Sequence, residues 1–337
     1  MLRMMMSLAV GLFLVLLMGP KFIPYLRKMH FGQTIYDLGP QAHKTKQGTP
    51  VMGGLMMAFA LLVCAIAFHP LPFGGIWDFM PALVLISLLS MAVGFTDDYI
   101  KAVKKRHEGL TPKQKIFGQV FVAVAFSVYC YFSPKVGSVI LIPFTGLSWD
   151  LGIFYIPIMT LLIIFIVNSA NLQDGLDGLL STVTAVSFTG WAALAILMGL
   201  AMPEMKADYS CIAVFALALT GAALGFLRFN RYPAKVFMGD TGSMLIGGAI
   251  VGCSLLLRQP LMMLLFAWCP IMSSLSVIIQ RIYFKLTHGK RIFRMSPIHH
   301  HFELVGYSET QIVAMYGTIT AVLSILGVLS VLSSLGY

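Results

Sequence analysis

Charge is what this sequence has least of. Only 11% of its 337 residues are Asp, Glu, Lys or Arg, where a soluble domain carries roughly 25%. A chain this poor in ionic groups cannot cover a water-facing surface with them, which excludes an ordinary soluble enzyme. Paired cysteine spacing is also absent. Cys64, Cys130, Cys211, Cys253 and Cys269 all fall in apolar segments, so they read as small core residues, neither a disulfide framework nor a metal site. No Pro/Ser-rich linker and no repeat of fixed period divides the chain, which therefore reads as one domain, 1–337. The opening stretch, "MSLAVGLFLVLLMGPKFIPYL", lacks a small-residue cleavage site and reads as a retained helix.

What the chain does have is apolar length. Hydrophobic residues make up 58% of it, in runs of about 17 to 25 residues, each long enough to cross a bilayer as a helix. Ten spans are expected, at roughly 3–20, 51–68, 79–96, 115–133, 151–168, 176–200, 210–228, 241–257, 261–284 and 312–334. The fold class is an all-α integral membrane protein. With both termini outside, the loops 21–50, 97–114, 169–175, 229–240 and 285–311 and the span ends beside them hold nineteen of the 23 Lys and Arg, against Arg3, Lys135, Lys206 and Arg258 on the other side. This asymmetry makes the basic side cytoplasmic. The +10 formal charge thus follows from topology first and from anionic substrates or lipid head groups second. Nucleic acid is not an expected partner.

Nine of the thirteen acids and seven of the eight histidines, all but His69, share that basic side. Loop charge is usually just solvated, but three carboxylate clusters abut spans directly. In "GFTDDYIKAVKKRHEGLTPKQK", Asp97 and Asp98 are neighbours at a span end, followed by lysines. Adjacent carboxylates repel unless a cation or a shared proton relieves them. A divalent metal site and a helix-end salt-bridge cluster both satisfy that requirement. In "VNSANLQDGLDGLLS", Asn168, Asn171, Asp174 and Asp177 recur every third residue. Three-residue steps on an α-helix rotate successive side chains by about 60°, so the four converge only if the helix breaks. The Asp-Gly pairs supply a break, expected between Asn168 at the end of the fifth span and Asp177 at the start of the sixth. Capping needs one such residue, not four. In "FNRYPAKVFMGDTGSMLIGG", Asp240 opens the eighth span, where an N-cap would explain it locally. The histidines of "RMSPIHHHFELVG" are adjacent, and adjacent residues do not share a helical face. One ring contacting a phosphate or carrying a proton fits better than a three-histidine metal site.

Carboxylates for a hard cation, lysines and arginines for phosphates, and histidines for proton chemistry thus collect at one interface. Mg²⁺ takes a few carboxylates plus substrate oxygens, and phosphoryl transfer relies on that metal and on cationic clamps. An ion-coupled transporter is the rival class. It would carry ionisable residues near the middle of spans, and these spans are almost free of charge.

The motifs "GTPVMGG" (48–54), "GFTDDYIK" (94–101), "LTPKQKIFGQ" (110–119), "NSANLQDGLDGL" (168–179), "FNRYPAKVFMGDTGS" (229–243) and "SPIHHHFE" (296–303) occur in this order. Together they closely resemble the phospho-N-acetylmuramoyl-pentapeptide transferases, the MraY family of bacterial peptidoglycan synthesis. The aspartate motifs are shared with the wider superfamily of polyprenyl-phosphate N-acetylhexosamine-1-phosphate transferases, whereas the triple histidine resembles the MraY branch. The resemblance covers essentially the whole chain. It implies transfer of phospho-MurNAc-pentapeptide from UDP-MurNAc-pentapeptide to undecaprenyl phosphate, giving lipid I and UMP with Mg²⁺. It also implies a multi-pass protein of the bacterial inner membrane, an active site facing the cytoplasm, and a homodimer. A sibling GlcNAc-1-phosphate transferase is the alternative.

By the same resemblance Asp240 is the Mg²⁺ ligand, Asp97 and Asp98 are the essential pair, and His299 lies nearest the chemistry, with His300 and His301 beside it. Asn168, Asn171 and Asp174 line the nucleotide and metal side. Gly175, Leu176 and Asp177 match the stretch that holds the uracil. Lys46, Asn230, Phe237 and Gln280 match other nucleotide positions, and a ring at 237 could stack on a base. Lys101, Lys105 and Lys113 are weaker candidates for phosphate contacts. One departure is visible: the family commonly reads TPTMGG, and Val51 here lacks the hydroxyl, so position 51 is given no polar role. Two chemical routes remain open, direct attack by the lipid phosphate and a two-step scheme through a phospho-sugar enzyme. Direct transfer is favoured because the lipid phosphate is already an anionic nucleophile.

Overall fold

The computed structural model describes residues 1–29, 48–70, 75–103 and 109–334. Long apolar runs without internal polar breaks leave the backbone no partner but itself, and helices follow. They are α1 (Leu2–Lys28), α2 (Gly54–Ala67), α3 (Phe79–Val103), α4 (Pro112–Phe132), α5 (Tyr155–Gln173), α6 (Leu179–Ala201), α7 (Lys206–Asn230), α8 (Gly239–Leu256), α9 (Met263–Phe266), α10 (Trp268–Leu286), α11 (Ile298–Val305) and α12 (Glu309–Ser334). A hairpin of β1 (Val139–Leu141) and β2 (Ser148–Asp150), paired antiparallel with Ile140 opposite Trp149, links α4 to α5.

Among the described residues eight helices are long and apolar enough to cross a membrane, and a ninth span forms if α9 and α10 are joined. The expected span at 261–284 is not straight: its two pieces meet at 88°. Ala267, with φ −115° and ψ 24°, stands at the break. The expected span at 51–68 is shorter than read, because α2 has 14 residues, about 21 Å against a hydrocarbon core of about 30 Å. Residues 52–54 are drawn instead into the bundle. Gly53 and Gly54 N–H groups donate to the Phe237 and Met238 carbonyls at 2.9 and 3.1 Å.

The centre of the bundle is α8 and α7, whose most apolar stretches are 89% and 78% buried; α1 and α12, at 28%, line the outside. Phe13, Leu17, Phe117, Phe121, Leu161 and Ile325 are exposed on outer helices, where lipid is the matching solvent. Because α8 is central, anything at its first turn lies at the middle of one end of the molecule. There α3 passes very close: a Cβ at Gly94 would collide with the Asp240 carbonyl. That approach delivers Asp97 and Asp98, one turn on, to the start of α8.

Candidate active site

Three carboxylates meet at this end. Donor oxygens of Asp97, Asp98 and Asp240 all lie within 4.8 Å of one another. Asp97 is buried; its Oδ1 accepts from the Leu110 N–H at 2.8 Å, and its Oδ2 pairs with Lys101 Nζ at 2.5 Å. Asp98 Oδ2 accepts from Thr241 N at 2.9 Å and Thr241 Oγ1 at 2.6 Å, and its Oδ1 from Asp240 N at 3.3 Å. A side chain of α3 therefore serves the open N–H groups at the start of α8, where the helix dipole favours an anion. The cap expected of Asp240 is made by Asp98 instead.

Freed from capping, Asp240 faces the cations. Its Oδ2 lies 2.7 Å from Lys115 Nζ and 3.7 Å from Lys101 Nζ, and its Oδ1 accepts from Asn171 Nδ2 at 2.7 Å. Lys115 is held there by the start of α4. Thr111 and Gln114 form a reciprocal capping box with Pro112 at the first helical position. Lys115 was not singled out from the sequence. The candidate two residues earlier, Lys113, is exposed.

The Asn168–Asp177 row divides by helical rotation rather than by an early break. α5 runs on to Gln173, so Asn168 and Asn171 both remain helical. Asn168 pairs with Gln119 of α4, donating at 2.8 Å and accepting at 3.2 Å. Asn171, about 60° round, reaches Asp240 and also Ser243 Oγ at 3.0 Å. The break comes at Asp174, the C-cap of α5. Asp174 is half-buried. Burial, with repulsion from Asp240, Asp98 and Asp177, pushes its carboxyl up to about 8, against a hydrogen bond from the Gly239 N–H.

Past the break, the 174–178 turn is pinned to the α7–α8 connection. Asp177 Oδ2 accepts from Ala234 N at 2.9 Å, and the Asp177 N–H donates to Glu309 Oε2 at 3.1 Å. Asn230, buried, accepts from Gly178 N at 3.2 Å and Ser181 Oγ at 2.7 Å and donates to the Val236 carbonyl at 3.0 Å. It is a structural tie of the turn as well as a candidate contact. Leu176 is buried with Leu179, Val183 and Ile312. A cavity of about 690 Å³ opens beside Asp177, bordered by Arg228, Arg231 and Lys235. Phe237 is half-buried next to it in sequence, its N–H donating to the Pro50 carbonyl at 2.8 Å.

The histidines lie on α11. His299 is fully buried against the turn, so close that a Cβ on Gly175 would run into its Nε2. His300 Nδ1 lies 2.6 Å from Glu303 Oε2, and His301 Nδ1 accepts from Arg294 N at 3.1 Å. The three rings thus have different partners, and His299 is the one seen against Gly175 of the 174–178 turn. Gln280 does not face that turn directly. Its amide holds the 292–293 backbone through bonds of 2.9 to 3.1 Å. It borders a second cavity, of about 950 Å³, with Arg281, Lys285, Arg291 and Arg294 around it. Lys46 and Lys105 lie outside the described residues.

Oxygen donors on a central helix end, two ammonium groups and a buried imidazole fit a centre that binds a hard cation and phosphates. The sequence profile of glycosyl transferase family 4 matches residues 80–258, the segment holding all three aspartates. The phospho-N-acetylmuramoyl-pentapeptide-transferases of Bacillus pumilus and Bacillus subtilis are each 43% identical over 323 residues, covering 96% of both chains. That of Oceanobacillus iheyensis is 41% identical over 324 residues, again 96% of each. The chain belongs to this family. Asp97 and Asp98 of α3 meet Asp240 of α8 across 143 and 142 positions of sequence.

Proposed function

We propose that the protein transfers phospho-MurNAc-pentapeptide from UDP-MurNAc-pentapeptide to undecaprenyl phosphate, producing lipid I and UMP for peptidoglycan synthesis. The observation that carries this reading is the Asp97–Asp98–Asp240 cluster with Lys101 and Lys115 at its edge, in a chain with such relatives. All three donors are hard carboxylate oxygens close enough to share one cation, which suits Mg²⁺. Asp240 would hold it, with Asp97 or Asp98 beside it; when bound, the ion supplies positive charge to the substrate diphosphate. Lys101 and Lys115 stand at ion-pair distance from the same carboxylates and would bind phosphate oxygens. Asp98 is engaged by three donors of α8, which leaves Asp97 the better group to position the lipid phosphate. A phosphate oxygen of the lipid then bonds to the sugar-bearing phosphorus, and that phosphorus loses its bond to UMP, which departs with the electron pair. The 174–178 turn and Phe237 hold the nucleotide, and His299 keeps the turn in place.

The same reading covers topology: a single domain of ten spans in the bacterial inner membrane, termini outside, site in the cytoplasm, working as a homodimer. Arg3 contacts the carbonyls of His69 and Pro70 at the end remote from the carboxylates. α12 starts beside Asp177 and runs away from it. With the basic loops at the carboxylate end, the positive-inside rule supports that orientation.

Purified protein in detergent should release UMP from UDP-MurNAc-pentapeptide only when both Mg²⁺ and a polyprenyl phosphate are added. Turnover of UDP-GlcNAc instead would move it to the sibling branch. Solute flux across proteoliposomes without UMP release would replace the reading by transport.

A further inference from the structure

The two ends of α3 carry different chemistry. Asp78 precedes its first residue, nineteen positions from Asp97, about 28 Å along a helix. Around Asp78 three donors of different kinds converge: the His69 imidazole after α2, the Asp78 carboxylate, and the Cys211 thiol in the second turn of α7. One donor atom from each lies within 4.8 Å of the others. His69 Nε2 is 3.0 Å from Asp78 Oδ2, with the two side chains 5% and 1% exposed. Cys211 is fully buried.

The donors are fixed from behind. Asp78 Oδ1 accepts from Met80 N at 3.0 Å, which aims Oδ2 at the imidazole. Arg3 donates to the His69 and Pro70 carbonyls at 3.3 and 2.9 Å, which holds the backbone that carries the ring. A salt bridge at a helix start would need only the first two residues. The thiol is the third donor that such a pair does not call for.

We propose that His69, Asp78 and Cys211 form a site for one borderline divalent ion, Zn²⁺ by donor type, which clamps the α2–α3 connection to α7. Zn²⁺ binds nitrogen and carboxylate oxygen at about 2.0–2.2 Å and thiolate sulfur at about 2.3 Å in a tetrahedron. That geometry places donor atoms roughly 3.3–3.7 Å apart, so the existing cluster needs shifts of about an ångström. Water takes the fourth position. On binding, Cys211 gives up its thiol proton to solvent and becomes the thiolate ligand. Among the described residues the other candidate cluster, Asp97–Asp98–Asp240, is all oxygen. A nitrogen–oxygen–sulfur set and an oxygen set select different metals, so the two ends of one helix would discriminate between Zn²⁺ and Mg²⁺. Cysteines that read from the sequence as core residues would then include one ligand.

Full-length protein in detergent, stripped with a chelator, is titrated with Co²⁺ under excess Mg²⁺. One Co²⁺ per chain should bind with a sulfur-to-cobalt charge-transfer band, and Zn²⁺ should displace it and raise the melting midpoint. Cys211→Ser should remove the band. His69→Gln, a polar replacement of similar reach, should weaken Co²⁺ binding by more than about tenfold while leaving UMP release unchanged. A cobalt spectrum with no sulfur band, meaning capture by the α11 histidines only, overturns the proposal. So does a band that survives Cys211→Ser, Co²⁺ affinity unchanged in His69→Gln, or no binding at all.

Discussion

The two ends of the bundle bury acids in opposite ways. At the end away from the family motifs, each carboxylate has a partner of its own: Asp208 pairs with Lys135 at 2.7 Å and Asp78 with His69 at 3.0 Å. At the motif end, Asp97 and Asp240 share Lys101 and Lys115, while Asp98 and Asp174 lie against the same cluster with no lysine ion pair of their own among the described residues. One-to-one pairing sets each of these acids against a single partner rather than against other acids. Four acids with two ammonium groups crowd negative charge that burial makes costly, and a retained proton or a further cation relieves it. The imbalance, more than the presence of charge, separates a working centre from a structural clasp.

Removing a carboxylate from the unbalanced end should therefore cost function and spare the fold. Asp240→Asn keeps the side-chain shape and its contact with Asn171, yet loses the charge that, on the proposed reading, would hold Mg²⁺. Turnover should fall by at least about 10²-fold, with an unchanged melting curve in metal-free buffer. Near-normal rates at limiting Mg²⁺ would show that Asp240 is no ligand. A finer division lies between Asp177 and Asp97. Asp177 stands in the turn tied to Ala234, and Asp177→Ala should weaken nucleotide binding by roughly 5- to 150-fold, the effect of one lost hydrogen bond of about 1–3 kcal/mol. Asp97→Ala should lower kcat with little change in nucleotide affinity. Calorimetric titration with a UDP-sugar analogue, alongside steady-state rates, separates the two; equal loss of binding in both variants would merge the sites.

Much of this was legible in the sequence because lipid removes alternatives. Apolar runs become helices, and the spans beginning near 79, 115, 176 and 241 lie where α3, α4, α6 and α8 are found. The polar row at 168–177 runs from α5 into the turn after it, and Asn171 of that row reaches Asp240. What stayed hidden depends on neighbours far away in the chain. Asp98 caps α8 across 143 positions, so local reading assigned that cap to Asp240. Lys115 and Lys113 look alike in "TPKQK" until the capping box fixes which one points at α8. The 88° break at Ala267 carries no glycine or proline at the residue itself. The late start of α2 follows from backbone bonds to Phe237 and Met238.

The balanced end predicts the reverse phenotype. Lys135 is a third exposed and Asp208 mostly buried, so Lys135→Ala strands a carboxylate that retains some access to water. Stability should drop by about 1 kcal/mol after discounting for solvent, visible as a lower melting midpoint, with kcat and KM unchanged. A loss of turnover with no loss of stability would mean that the two ends are coupled and that the distinction between them fails.

The effect that depends most on conditions should come from Asp174, because it varies with pH. In the fold its carboxyl is raised to about 8, whereas an unfolded aspartate ionises near pH 4. Below about pH 4 both states carry the proton and the group costs nothing. Between about 4 and 8 the unfolded chain releases the proton while the folded one keeps it, so stability from this group falls steadily as pH rises. Above 8 the folded carboxyl is also ionised, beside Asp240, Asp98 and Asp177, and the loss is complete. Asp174→Asn cannot ionise and mimics the protonated form. In metal-free buffer the variant should match the parent near pH 4 and melt progressively higher than it toward pH 8. Added Mg²⁺ supplies the missing positive charge to the parent alone, so the gap at pH 8 should narrow. A gap that is constant with pH would show that Asp174 is ionised throughout, and that the excess negative charge of this end is already neutralised by Lys101 and Lys115.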